Sequence, residues 1–71
     1  MFNLEQFRGR YVNIMCNDGT AYNNYYVFGF SDAYDNYFPE EDSIDIMKSK
    51  DAHGGISLYE SDIKSIELAT A

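Results

Sequence analysis

The chain has one cysteine, one proline, one histidine and no tryptophan, and its 71 residues carry five bases against twelve acids. Each scarcity removes a class of explanation. Cys16 alone cannot build a disulfide framework or a cysteine-based zinc site within one chain, which points to a reducing compartment. With only Arg8, Arg10, Lys48, Lys50 and Lys64 as bases, the net charge is −7. That charge repels phosphate at long range and opposes non-specific binding to nucleic acid or to an anionic membrane. No apolar run approaches the ~18 residues of a membrane span, and Met1-Phe2-Asn3-Leu4-Glu5-Gln6 has neither the basic nor the apolar region of a secretion signal. A cytoplasmic protein without membrane association is expected.

What is present argues for one folded body. A chain of this length buries only about 60 % of the surface its unfolded form exposes, so one small domain spanning residues 1–71 is the limit. Hydrophobic residues make up 45 % of the chain and twelve are aromatic, more apolar area than a disordered segment carries. With no disulfide or metal to staple it, a domain of this size often gains stability by self-association.

The hydrophobic pattern predicts one short helix and five strands. Asn3 and Gln6 form a capping-box-like start, Leu4 and Phe7 share a face, and Gly9 ends the helix. From Tyr11 the period becomes two, with Val12, Ile14 and Cys16 on one side. Asn17-Asp18-Gly19 is a hairpin turn, because glycine takes the positive φ that a tight turn demands. Thr20 to Phe30 reads as a long strand with bends at Asn23-Asn24 and at Gly29. Ser31 to Asp42 has loop chemistry. Ser43 to Lys48 alternates again, residues 51–55 form a turn, and Ile56 and Leu58 share a face. Glu60-Ser61-Asp62 interrupts the pattern before a last strand, which faces inward through either Ile63, Ser65 and Glu67 or Lys64, Ile66 and Leu68. The expected interior is Val12, Ile14, Cys16, Val27, Phe30, Ile44, Ile46, Ile56, Leu58, Ile63, Ile66 and Leu68. Five hairpin-connected strands in so few residues suggest a small barrel, because closure removes exposed strand edges.

This order resembles the Sm-like (LSm) domain, and the likeness covers nearly the whole chain. Gly9-Arg10-Tyr11-Val12-Asn13-Ile14-Met15-Cys16-Asn17-Asp18-Gly19 is similar to the opening of that family's first motif. Asn24 stands at its bend glycine, and Val27-Phe28-Gly29-Phe30 matches the approach to its nucleotide-binding loop. Residues 56–66 have the form of its second motif. The resemblance implies an all-β fold: a short N-terminal helix followed by a five-stranded, strongly bent antiparallel Sm-like barrel. It also implies a self-assembled ring, in which the fourth strand of one subunit pairs with the fifth of the next. Leu58, Tyr59, Ile66 and Leu68 lie on those strands here.

In RNA-binding members the first motif ends in a segment resembled by Asp32-Ala33-Tyr34-Asp35-Asn36. The likeness implies that Tyr34 stacks on a base, a contact worth ~1–3 kcal/mol, and that Asn36 reads a uracil edge beside Asp32. Three positions depart from that chemistry: Asp35 stands where the motif has Met, and Tyr59-Glu60 replaces its Arg-Gly pair. Acids also crowd the loop at Asp32, Asp35, Glu40, Glu41, Asp42 and Asp45, and each repels phosphate. A plain reading makes this stretch a solvated loop. A functional one makes Asp35, Glu40, Glu41 and Asp42, interleaved with Tyr34, Tyr37 and Phe38, an acidic interaction loop for a basic protein.

The remaining candidates read more simply. The acid spacing lacks the alternation of a calcium loop, so no metal or other cofactor is expected. Acid–base catalysis needs carboxylates in a shielded cleft, whereas these fall in turns, and His53 sits in a turn beside Gly54 and Gly55. Cys16 is in phase with the core, where a thiol is inert. No enzyme is expected. Seven tyrosines exceed what this core holds, and tyrosine is enriched at interfaces, so some should face a partner. Two readings follow: a non-enzymatic, self-associating Sm-like module that binds a protein partner, or an Sm-like ring for uridine-rich single-stranded RNA.

Overall fold

Apolar alternation organises β1 (Tyr11–Cys16), whose Val12, Ile14 and Cys16 are buried to 0 %, 1 % and 5 % exposure. The computed structural model describes residues 3–34 and 41–69. Its other strands are β2 (Ala21–Ser31), β3 (Ser43–Met47), β4 (Ile56–Tyr59) and β5 (Ile63–Leu68). All five form one antiparallel sheet in the order β4-β3-β2-β1-β5. The first hairpin turns at Gly19 (φ +92°), whose N–H donates to the Cys16 carbonyl at 3.0 Å.

β2 is bent where the sequence places its bends. Its first half pairs with β1 and its second with β3, and the register slips between Val12 and Ile14, opposite Tyr25 and Tyr22. Asn24 sits in that slip at φ +60°, and its N–H donates to Asn13 Oδ1 at 2.8 Å. A side chain thus takes the donor that the interrupted ladder leaves. The second slip lies between Val27 and Gly29, where a Cβ on Gly29 would stand 2.8 Å from Asp45 Oδ2.

β4 and β5 occupy opposite edges of the sheet but are joined only by a 3-10 turn, Glu60–Asp62. In a flat sheet, four spacings of ~4.8 Å would hold those edges ~19 Å apart. Three residues of 3-10 turn advance only about 6 Å. The sheet therefore curls until its edges converge at that turn. Among the described residues no ladder joins β4 to β5.

The concave face holds one core of Leu4, Phe7, Val12, Ile14, Cys16, Val27, Ile44, Ile46, Leu58 and Ile63. Tyr22, Tyr25, Phe30 and Ile66 pack against it partly buried. The choice of phase in the last strand resolves as a slip: Cys16 pairs with Ile63 but Met15 with Ser65, so Ile63 and Ile66 both face inward. Three expectations are corrected. Ile56 and Leu68, expected inside, are 38 % and 41 % exposed. They pair with the buried Ile46 and Val12 and share their face, but at strand ends where the core opens. Leu4 and Phe7, not counted among the interior residues, are core residues. Finally, the N-terminal helix is a single 3-10 turn, Leu4–Phe7, and Asn3 does not cap it through its side chain. Gly9 (φ +79°) leaves that turn and its N–H donates to the Val27 carbonyl at 2.8 Å, clamping the segment over the core.

Candidate functional site

The strands separate two ends of the molecule. At one, the β1–β2 turn, the segment after β2 and the β4–β5 turn are bonded together. Asn17 donates through its backbone N–H to the Asp62 carbonyl at 2.9 Å and through Nδ2 to the Ser61 carbonyl at 2.7 Å. Glu41 Oε1 accepts the Ser61 N–H at 2.7 Å, and the Asp42 carbonyl accepts the Glu60 N–H at 2.9 Å. Asp42 Oδ1 also accepts the Ala33 N–H at 3.0 Å. These contacts gather Asp18, Asp32, Glu41, Asp42, Glu60 and Asp62 at one end.

Several of these carboxylates build the end as well as charge it. Asp18 accepts the Thr20 N–H at 2.9 Å, and that backbone bond, followed by one from the Thr20 hydroxyl, holds its carboxyl below the usual range. Asp62 Oδ2 accepts the Tyr59 N–H at 3.1 Å. Asp32 Oδ1 accepts the Tyr34 N–H at 3.0 Å, fixing the backbone of a residue whose ring is 90 % exposed. Beneath them, burial first and then the Asp18 and Asp62 carboxylates push the Cys16 thiol up from its ordinary value. Burial does the same to the Tyr22 hydroxyl. A raised, buried thiol is a poor nucleophile.

Of the residues singled out in the sequence, the structure brings Asp32, Tyr34, Glu41 and Asp42 together. Asp35, Asn36 and Glu40 lie outside the described residues. Among the interface candidates, Leu58 is buried, so its side chain belongs to the core and only its backbone edge faces outward. Tyr59 and Ile66 are half-buried, and Leu68 is exposed. Asp45, counted with the loop acids, instead accepts the Ser57 hydroxyl at 2.6 Å across β3 and β4. His53 is exposed in its turn. Among the described residues no cluster of three or more His, Cys, Asp or Glu side chains is arranged to hold a metal ion, and no helix is long and apolar enough to cross a membrane.

Comparison with protein-family models, with curated proteins and with solved structures finds no match to this chain.

The opposite end escaped the sequence reading. A groove of about 550 Å³ is lined there by Gly9, Arg10, Tyr11, Asn24, Lys48, Ser49, Leu68 and Ala69. Tyr11 anchors it: its ring lies 5.1 Å from that of Tyr26, its carbonyl accepts the Ala69 N–H at 2.9 Å, and its hydroxyl accepts the Lys50 N–H at 3.4 Å. A second hollow of about 310 Å³ shares Lys48 and adds Tyr25, His53 and Ile56. Arg10 and Lys48 are far apart in the sequence, and no local pattern joins them. Strand register does, because Tyr11 and Met47 both pair with Tyr26.

Proposed function

We propose that the chain is a non-enzymatic interaction module: an Sm-like barrel that self-associates through its outer strands and docks on a basic protein through its acidic end. The observation that carries this reading is the gathering of six carboxylates at the end of the molecule that also carries Tyr34, whose ring is 90 % exposed. A large, almost fully exposed aromatic ring adds nothing to the core, and rings of this kind anchor interfaces. Self-association is supported by the outer edges of β4 and β5, which pair with no further strand among the described residues, since unpaired edges recruit strands. The single buried thiol fits a reducing, cytoplasmic setting.

Two measurements test the proposal. Light scattering on the intact chain should give a multiple of 8.2 kDa, returning to that mass in Tyr59→Asp/Leu68→Asp with the far-UV spectrum retained. A concentrated sample that stays monomeric overturns the assembly. For the partner, titration with a lysine- and arginine-rich peptide should shift amides of residues 32–34, 41–42 and 60–62. Tyr34→Ala should weaken that binding roughly tenfold, as loss of a central aromatic contact does. Shifts elsewhere, or none, remove the acidic end from the proposal.

The exposure of Tyr34 also favours a second reading, an Sm-like ring that stacks uridine-rich single-stranded RNA on that ring. It requires oligouridine binding that falls with Tyr34→Ala and with added salt. The six carboxylates at the same end oppose it, which is why protein docking is preferred.

A further inference from the structure

We propose that the groove at the basic end binds a small phosphomonoester, its phosphate held between Arg10 and Lys48 and its organic body resting on Tyr11 and Leu68. This site is separate from the acidic end and does not depend on the function proposed for it.

Placement is the first argument. Arg10 precedes Tyr11 on β1 and Lys48 follows Met47 on β3, and both of those residues pair with Tyr26 of the intervening strand. Two strand spacings separate the strands by about 10 Å, and because Arg10 and Lys48 lie on opposite sides of the Tyr26 rung their backbones stand about 12 Å apart. An arginine and a lysine can converge on one anion across that gap. The groove between them holds about 550 Å³, within the range of roughly 300–1,000 Å³ typical of small-molecule sites.

Charge is the second. The chain has twelve acids for five bases, yet neither the Arg10 guanidinium nor the Lys48 ammonium has a hydrogen-bond or ion-pair partner among the described residues. Glu67, next to Leu68, lines a different hollow with Asn13, Met15, Asn23 and Ser65. Asp51 lies in the turn beyond Lys50, off the groove wall. Two cations are therefore left facing one concavity in a protein whose carboxylates are mostly engaged elsewhere.

Lining chemistry is the third. A guanidinium presents a planar fork of donors to a phosphate and an ammonium adds a point charge. Ser49 and Asn24 supply further polar groups on the wall, and Tyr11 and Leu68 supply apolar surface. The size of the ligand follows from the rest of the molecule. β1 spans five residue steps, so the acidic end begins about 17 Å away. A polyanion laid on the groove and running along the strands would come within one Debye length of those carboxylates, whereas a small phosphomonoester stays about two Debye lengths from them.

The test is an amide-resolved NMR titration of the intact chain at constant ionic strength with adenosine 5′-monophosphate, adenosine, inorganic phosphate and chloride. The monophosphate should give saturable shifts confined to residues 9–11, 24, 48–49 and 68–69, with tighter binding than either adenosine or free phosphate. Arg10→Gln and Lys48→Gln should each weaken it at least roughly tenfold, the cost of one charge-assisted bond, while Lys64→Gln changes it less than about twofold. Backbone shifts of the unliganded variants establish that they remain folded. Absence of saturation at millimolar ligand, equal response to chloride, or unchanged binding in Arg10→Gln/Lys48→Gln overturns the site. Equal affinity for adenosine and the monophosphate overturns the role of the two cations, and equal affinity for free phosphate that of Tyr11 and Leu68.

Discussion

At the scale of single residues, Asn24 shows how a local preference and a distant partner combine. Its φ of +60° is a conformation that asparagine and glycine tolerate and β-branched residues do not, and its N–H is held by Asn13. Asn24→Val should cost about 1–2 kcal/mol in urea unfolding, whereas Asn24→Gly should change stability by less than about 1 kcal/mol. A Val variant as stable as the parent would contradict this account of the bend. The protons of the buried Cys16 and the half-buried Tyr22 make a second prediction. Both groups hold their proton more tightly when folded than their ordinary values of 9.0 and 10.0. Their contribution to stability is therefore complete below the unfolded values and is lost as pH rises through them towards the folded ones. Thermal midpoints should fall along an alkaline series, and Cys16→Val should make the early part of that fall shallower. Iodoacetamide should label Cys16 only as the chain unfolds.

Among the elements, the N-terminal 3-10 turn carries more of the core than its length suggests. Leu4 is fully buried, and the turn is clamped to β2 by the Gly9–Val27 hydrogen bond. Leu4→Ala should destabilise by about 2–5 kcal/mol, and hydrogen exchange at Gly9 should speed up more than at Ile44. Uniform loss of protection would show instead that the turn is inseparable from the sheet. Much at this scale was legible in the sequence. The Asp-Gly turn, the bends at Asn24 and Gly29 and the break at residues 60–62 each depend on local backbone chemistry, and all occur where expected. The inward phase of the last strand was not legible, because the slip at Lys64 exists only when β5 is laid against β1. The exposure of Ile56 and Leu68 was likewise invisible to periodicity, which reports the face of a strand but not how far along it the core extends.

On the scale of the whole molecule, charge separation gives the proposed associations opposite salt dependences. Copies with a net charge of −7 repel one another, so strand-edge assembly should strengthen with added salt, while docking of a basic peptide on the acidic end should weaken. Scattering and peptide titration across one salt series would show the two trends diverging. A common direction would mean that one force drives both.

The sequence by itself determined the five-stranded antiparallel character, the principal turns, most of the core and the acidic composition of the stretch between β2 and β3, because these follow from alternation, turn chemistry and local composition. It also placed Tyr34 among acids. Only the tertiary structure decided which residues meet. Curling of the sheet brings three separate turns into one acidic end, and register across Tyr26 brings Arg10 and Lys48 to one groove. Such meetings depend on long-range pairing between strands, which leaves no period and no spacing in a chain read one residue after another.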